Sequence, residues 1–136
     1  RLDELKRWSE FLNIQINLKP KFFPPKDPHI SSKYTIAANL LGIKLVFGHE
    51  LLKLMWSEEK DISDEKNIEI VGNFFELDFK KLSDLAKSEK VSKIYQENTE
   101  EAVTKNVFGS PTYIFNNQLY WGQDRLDFLE RALKKS

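Results

Sequence analysis

The chain has 136 residues, 40% of them apolar and 31% charged, and its 21 Lys and Arg balance 21 Asp and Glu, so the formal net charge is zero. A chain of this length buries roughly two-thirds of its unfolded surface, and a zero balance lacks the basic excess from which nucleic-acid and membrane-surface binders draw affinity. With no cysteine, these residues hold no disulfide, no thiolate nucleophile and no Cys-based metal site, and no apolar run approaches the ~20 residues that span a bilayer.

The chain opens at Arg1 in mid-helix pattern. Leu2, Leu5, Trp8, Phe11 and Leu12 recur at helical spacing between charged residues, an amphipathic helix unlike a signal peptide, with Asn13 as its stop. Ile14, Ile16 and Leu18 alternate with Gln15 and Asn17 and predict a short strand over 14–18. Pro20, Pro24, Pro25 and Pro28 make 19–29 an extended loop. Ser31 or Ser32 is placed to cap a second helix that bends or weakens at Gly42, and 45–56 forms another strongly apolar helix. Ser63 is the expected cap of a helix running to about Gly72, followed by helices over 77–87 and 88–106, the last with Ile94, Ala102 and Val103 inward.

The pattern changes at Val107. Thr112–Phe115 and Gln118–Trp121 predict the two strands of a β-hairpin, joined at Asn116-Asn117, where both residues tolerate the positive φ of a type I′ turn. Gly122 lets the chain turn, and Asp124 is the expected cap of a final amphipathic helix. A proline directly before a strand cannot donate to the ladder. Either an ordinary turn enters an edge strand, or the Ser110–Pro111 bond is cis and leaves the Ser110 N–H and C=O open to an extended ligand. The order of elements is α/β, with short β-containing ends flanking a helical block.

Gly109-Ser110-Pro111-Thr112 before a hairpin and terminal helix resembles the cis-proline end of the thioredoxin fold. Tyr120-Trp121-Gly122-Gln123-Asp124-Arg125-Leu126, with Asp3–Trp8, Phe22-Phe23-Pro24, Leu54-Met55-Trp56, Asp61-Ile62 and Thr99–Ala102, resembles the 2-hydroxychromene-2-carboxylate isomerases. These are relatives of kappa-class glutathione transferases in the DsbA-like group. The resemblance implies an α/β, thioredoxin-like (DsbA-like) domain over 1–136, with 1–28 and 107–136 as its thioredoxin-like parts and 29–106 as a large all-helical insertion.

It also implies a glutathione-dependent isomerase, acting through a reversible thiol adduct to a conjugated aromatic substrate. In this sequence Ser110, followed by Pro111, would pair with the cysteinyl backbone of glutathione. Gln123 and Asp124 would hold its γ-glutamyl end, the carboxylate of Asp124 facing the ammonium and helix N–H groups facing the carboxylate. Lys19-Pro20 stands where the family has Asn-Pro, so an ammonium replaces an amide, and a solvated loop lysine is the plain alternative. Trp56 would line the aromatic-substrate pocket, or serve only as core. Asp124 would combine ligand binding with helix capping. His29 and His49 have no partners at metal-ligand spacing, so no metal is expected.

The family's catalytic serine follows a first strand that this sequence does not contain, so the expected reading is a chain lacking an N-terminal strand and catalytic helix and inactive by itself. A homodimer or domain-swapped dimer would then shield exposed strand edges. The expected partners are glutathione and a small aromatic substrate, with no nucleic acid or membrane, and the expected compartment is the cytoplasm. The alternatives are a kappa-class-like glutathione transferase, a DsbA-type thiol–disulfide oxidoreductase, and a non-catalytic peptide- or glutathione-binding module.

Overall fold

The computed structural model describes residues Leu2–Ser136, which fall into two compact units, one ending at Tyr95 and the other spanning Gln96–Ser136. The first contains helices α1 (Leu2–Leu12), α2 (Pro28–Leu40), α3 (Val46–Trp56), α4 (Glu65–Phe74) and α5 (Phe79–Ala86). Helix α6 (Glu89–Thr104) follows, and the division falls inside it. The second unit continues with β1 (Thr112–Phe115), β2 (Gln118–Trp121), a 3-10 turn (Gln123–Arg125) and helix α7 (Leu126–Lys135).

The helical block builds the core. Tyr34, Ala37 and Ala38 of α2 pack with Phe47, Leu51, Leu54 and Met55 of α3, Ile68 and Val71 of α4, and Leu82 and Ala86 of α5. The buried residues of this core lie between Tyr34 and Val91. Small residues bring helices close: a methyl group on Gly72 would touch Phe79 and Leu82, the residues that α5 turns toward α4. One polar network crosses this core. The hydroxyl of Tyr34 lies 2.9 Å from both Glu65 Oε1 and Ser83 Oγ, and Lys87 Nζ lies 2.8 Å from Glu65 Oε1. Burial pushes the Tyr34 hydroxyl up to about 12, while the Lys87 ammonium holds Glu65 below the usual carboxylate range, opposed by burial and aided by the Tyr34 hydroxyl.

Aspartates, not serines, start α2, α4 and α5. Asp27 accepts from the His29 N–H at 2.8 Å with Pro28 at the first helical position, so α2 begins ahead of Ser31 and Ser32. Asp64, not Ser63, caps α4 by accepting from the Lys66 N–H, and Asp78 caps α5 from the Lys81 N–H, both at 3.0 Å. Ser63 has another role. Its Oγ accepts from the Asp27 N–H at 3.0 Å and donates to the Asp27 C=O at 3.2 Å, tying the start of α2 to the loop before α4.

The strand expected over 14–18 does not form. The Asn17 N–H donates to the Trp56 C=O at 2.7 Å, Asn17 Nδ2 reaches the Ser57 C=O at 3.3 Å, and Ser57 Oγ donates to the Gln15 C=O. The alternation is real, but the backbone docks on the C-terminal end of α3, where carbonyls need donors, and no strand pairs with it among the described residues. Val103 likewise faces outward at 70% exposure.

The hairpin follows its sequence pattern. Thr112 pairs with Trp121, Tyr113 with Tyr120, Ile114 with Leu119 and Phe115 with Gln118, and Asn116 and Asn117 have φ of 49° and 60°. The ladder extends past the strands, since the Gly122 N–H donates to the Pro111 C=O at 2.9 Å. Helix α7 packs on both strands.

Candidate functional site

Helix α6 delivers the chain to the loop before β1. Asn106 takes φ 57° just after the helix, its N–H bonds the Val103 C=O at 3.0 Å and the Val107 N–H bonds the Ala102 C=O at 2.9 Å. This is a Schellman closure with Asn in the left-handed position. Gly109 then passes directly beneath the Trp121 indole, where no side chain fits. The Ser110–Pro111 peptide is cis, and Thr112 Oγ1 donates to the Gly109 C=O. Ser110 is exposed and makes no hydrogen bond among the described residues. Its N–H and C=O are thus free to pair with an extended ligand.

Beyond β2, Gly122 adopts φ 110° and the 3-10 turn places Gln123 and Asp124 on the surface. Asp124 does not cap α7. That helix begins at Leu126, its preceding residue Arg125 makes no side-chain capping bond, and Asp124 Oδ2 is paired with Arg125 Nη1 at 2.8 Å. The intervening turn displaces Asp124 from the capping position, and the guanidinium takes its carboxylate. Ser110, Pro111, Gln123 and Asp124 all belong to the second unit.

Lys19, Pro20 and Trp56 belong to the first unit and line one pocket of about 300 Å³, closed by Leu2 and Leu5 of α1 and by Leu18 and Phe23. Pro20 is buried, whereas Lys19 is exposed at the rim. The Phe23 and Trp56 rings are 4.9 Å apart. Phe23 and Leu5 are lining residues that the sequence reading did not assign to a site. The Phe-Pro pair was the available signal for Phe23; Leu5 carried none beyond its amphipathic spacing. An aromatic wall with one ammonium at its edge suits a flat apolar ligand bearing an anionic group.

Among the described residues no cluster of three or more His, Cys, Asp or Glu could hold a metal ion. His29 instead faces Tyr95, with Nδ1 2.7 Å from the phenol oxygen.

A model of the DSBA-like thioredoxin domain matches residues 2–134. The chain belongs to the DSBA-like thioredoxin domain family. Three curated relatives are named 2-hydroxychromene-2-carboxylate isomerase. The one from Pseudomonas sp. (strain C18) is 25% identical over 130 residues, covering 96% of this chain and 59% of the relative. The Sphingobium xenophagum protein is 24% identical over 130 residues and 65% of its length. The Pseudomonas putida protein is 25% identical over 133 residues and 62% of its length. The chain therefore spans about three-fifths of the length of these relatives. A solved 2-hydroxychromene-2-carboxylate isomerase superposes with a TM-score of 0.79 at 20% identity, covering 97% of this chain and 63% of that one, which establishes the shared fold. Among the described residues of this DSBA-like domain, no helix is long and apolar enough to cross a membrane.

Proposed function

We propose that this DSBA-like domain belongs to a glutathione-dependent isomerase of the 2-hydroxychromene-2-carboxylate type and supplies its glutathione-binding backbone and a wall for its aromatic substrate. The observation that carries the reading is the open backbone of Ser110 ahead of Pro111, in a chain whose curated relatives bear the isomerase name.

The fit of glutathione rests on three features. The Ser110 N–H and C=O lack partners among the described residues, as required to pair with a peptide backbone. Asp124 is exposed, and its one ion-pair partner among the described residues is the neighbouring Arg125, so the pair presents a carboxylate for an ammonium and a guanidinium for a carboxylate, matching the zwitterionic γ-glutamyl end. Gln123 adds an exposed amide on the same turn. When bound, glutathione would supply the thiol that these 136 residues lack. Ser110 would hold the peptide extended, and Asp124 with Arg125 would fix its far end.

Trp56 and Phe23 would face the aromatic body of the substrate, with Pro20 as the pocket floor. Lys19 would neutralise the substrate carboxylate from the rim, where an ammonium keeps its hydration and acts as a point charge. The cytoplasm, with its glutathione pool, is the matching compartment.

Calorimetric titration of the 136-residue chain with glutathione tests the reading. Saturable binding is expected, weakened about tenfold by Asp124→Ala, which corresponds to ~1.4 kcal/mol. In amide NMR the Ser110 resonance should shift on binding. Absence of binding at 10 mM glutathione, or a Ser110 amide that does not respond, would overturn it.

A further inference from the structure

A second binding feature lies within the Gln96–Ser136 unit and is independent of the glutathione reading. A groove of about 860 Å³ runs between β2 and α7. All four residues of β2 line it. Phe128, Arg131 and Lys135 of α7 border it, with Phe108 at one end. Three of its aromatic rings are open to solvent: Phe108 at 70%, Phe128 at 57% and Trp121 at 52% exposure.

The ladder register decides what faces the groove. Phe115 pairs with Gln118 across the two-residue turn, and the Gly122 N–H bonds the Pro111 C=O. The alternation of an antiparallel ladder then makes Leu119 and Trp121 the residues of β2 whose N–H and C=O turn away from β1. Neither has a hydrogen-bond partner outside the hairpin among the described residues. β2 thus offers a free edge of the kind that accepts an added strand.

Charge identifies the occupant. No carboxylate lines the groove, whereas Arg125, Arg131 and Lys135 do. Arg125 is engaged with Asp124, but Arg131 and Lys135 have no ion-pair partner among the described residues, and the neighbouring Glu130 is bridged to Lys134. Arg131 and Lys135 are four residues apart on α7, about 6 Å along its axis. Alternate residues of an extended chain repeat at about 6.7 Å. Carboxylates at every second position of a strand match that pair, while the intervening side chains turn to the opposite face of the added strand.

We propose that this groove receives an extended acidic peptide segment, which adds to the free edge of β2 and sets alternate carboxylates against Arg131 and Lys135.

Amide NMR of the whole chain, titrated with a capped heptapeptide of alternating Glu and Val, tests this. The Leu119 and Trp121 amides should shift and exchange more slowly with solvent, and the Trp121 indole should move. Affinity should fall at least tenfold in the Arg131→Glu/Lys135→Glu double variant. Because a variant can misfold, the unmodified chain provides a second measure: raising salt from 50 to 300 mM should weaken binding severalfold. An alternating Lys and Val peptide should not bind. Unperturbed Leu119 and Trp121 amides, equal binding of the basic peptide, or indifference to both salt and charge reversal would overturn the proposal. So would naphthalene-1,5-disulfonate binding as tightly as the peptide with no slowing of amide exchange, because that outcome assigns the groove to a small anion.

Discussion

Gly109 and Trp121 are packed so closely that a methyl group on Gly109 would lie 3.0 Å from Cε2 of the indole and nearer still to its Nε1. The loop carrying Ser110 is thereby set against the end of β2, and the indole also meets Phe108, with ring centroids 5.0 Å apart.

Gly109→Ala should therefore destabilise the protein by about 1–3 kcal/mol, the usual effect of forcing a methyl into filled space. Ser110→Ala, at an exposed position without hydrogen bonds among the described residues, should stay within about 0.5 kcal/mol. Urea denaturation of the two variants checks the contrast; equal stabilities would show that the indole yields freely.

The hairpin turn should discriminate between substitutions at Asn117, which sits at φ 60°. Alanine there should cost about 1–2 kcal/mol, the strain of a Cβ in the left-handed region, while glycine should be tolerated fully. Amide NMR of β1 and β2 reads the population of the hairpin. A matching response to both substitutions would contradict the type I′ assignment.

The Tyr34 hydroxyl titrates at about 12 when folded, against 10.0 in the open chain. Between these values the unfolded chain has lost its proton and the folded one has kept it, so stability falls as pH rises from about 10 to 12. Glu65 behaves oppositely. Its carboxyl is held low by Lys87, so its contribution is present above 4.5 and is lost as pH falls through the depressed folded value. Tyr34→Phe should flatten the alkaline limb of a stability-against-pH curve, and Glu65→Gln should shrink the acid limb.

Binding of 1-naphthoate, a flat aromatic carboxylate, probes the pocket of Lys19, Pro20 and Trp56. Fluorescence titration should show Lys19→Ala weakening it severalfold and Trp56→Ala abolishing it. Trp56→Ala should also lower stability by about 1–3 kcal/mol, because the ring is half-buried against Phe23. Unchanged naphthoate affinity in both variants would remove the pocket from the proposed site.

Local chemistry carried much of this fold into the sequence. Asn116-Asn117 between two β-branched and aromatic runs specified the hairpin to the residue, because turn geometry and strand period are properties of neighbours. The apolar spacing of 34–91 specified a helical block, which then holds the hydrophobic core. The expected serine caps did not hold: Asp27 starts α2, with Pro28 pre-setting its first turn, Asp64 starts α4, and Ser63 bonds Asp27 instead.

What spacing could not decide was pairing. Ile14–Leu18 has strand alternation, yet a strand exists only where another chain segment accepts its hydrogen bonds, and here the acceptors were the carbonyls of Trp56 and Ser57. Asp124 resembled a cap until the 3-10 turn set it beside Arg125. The sequence by itself determined the length, neutral charge and thiol-free composition of the chain, its helical block and its hairpin. Only the tertiary structure decided that Trp121 covers Gly109, that Phe23 and Leu5 join Trp56 in one pocket, and that β2 shares a groove with the cations of α7, because these contacts join residues that no local periodicity links.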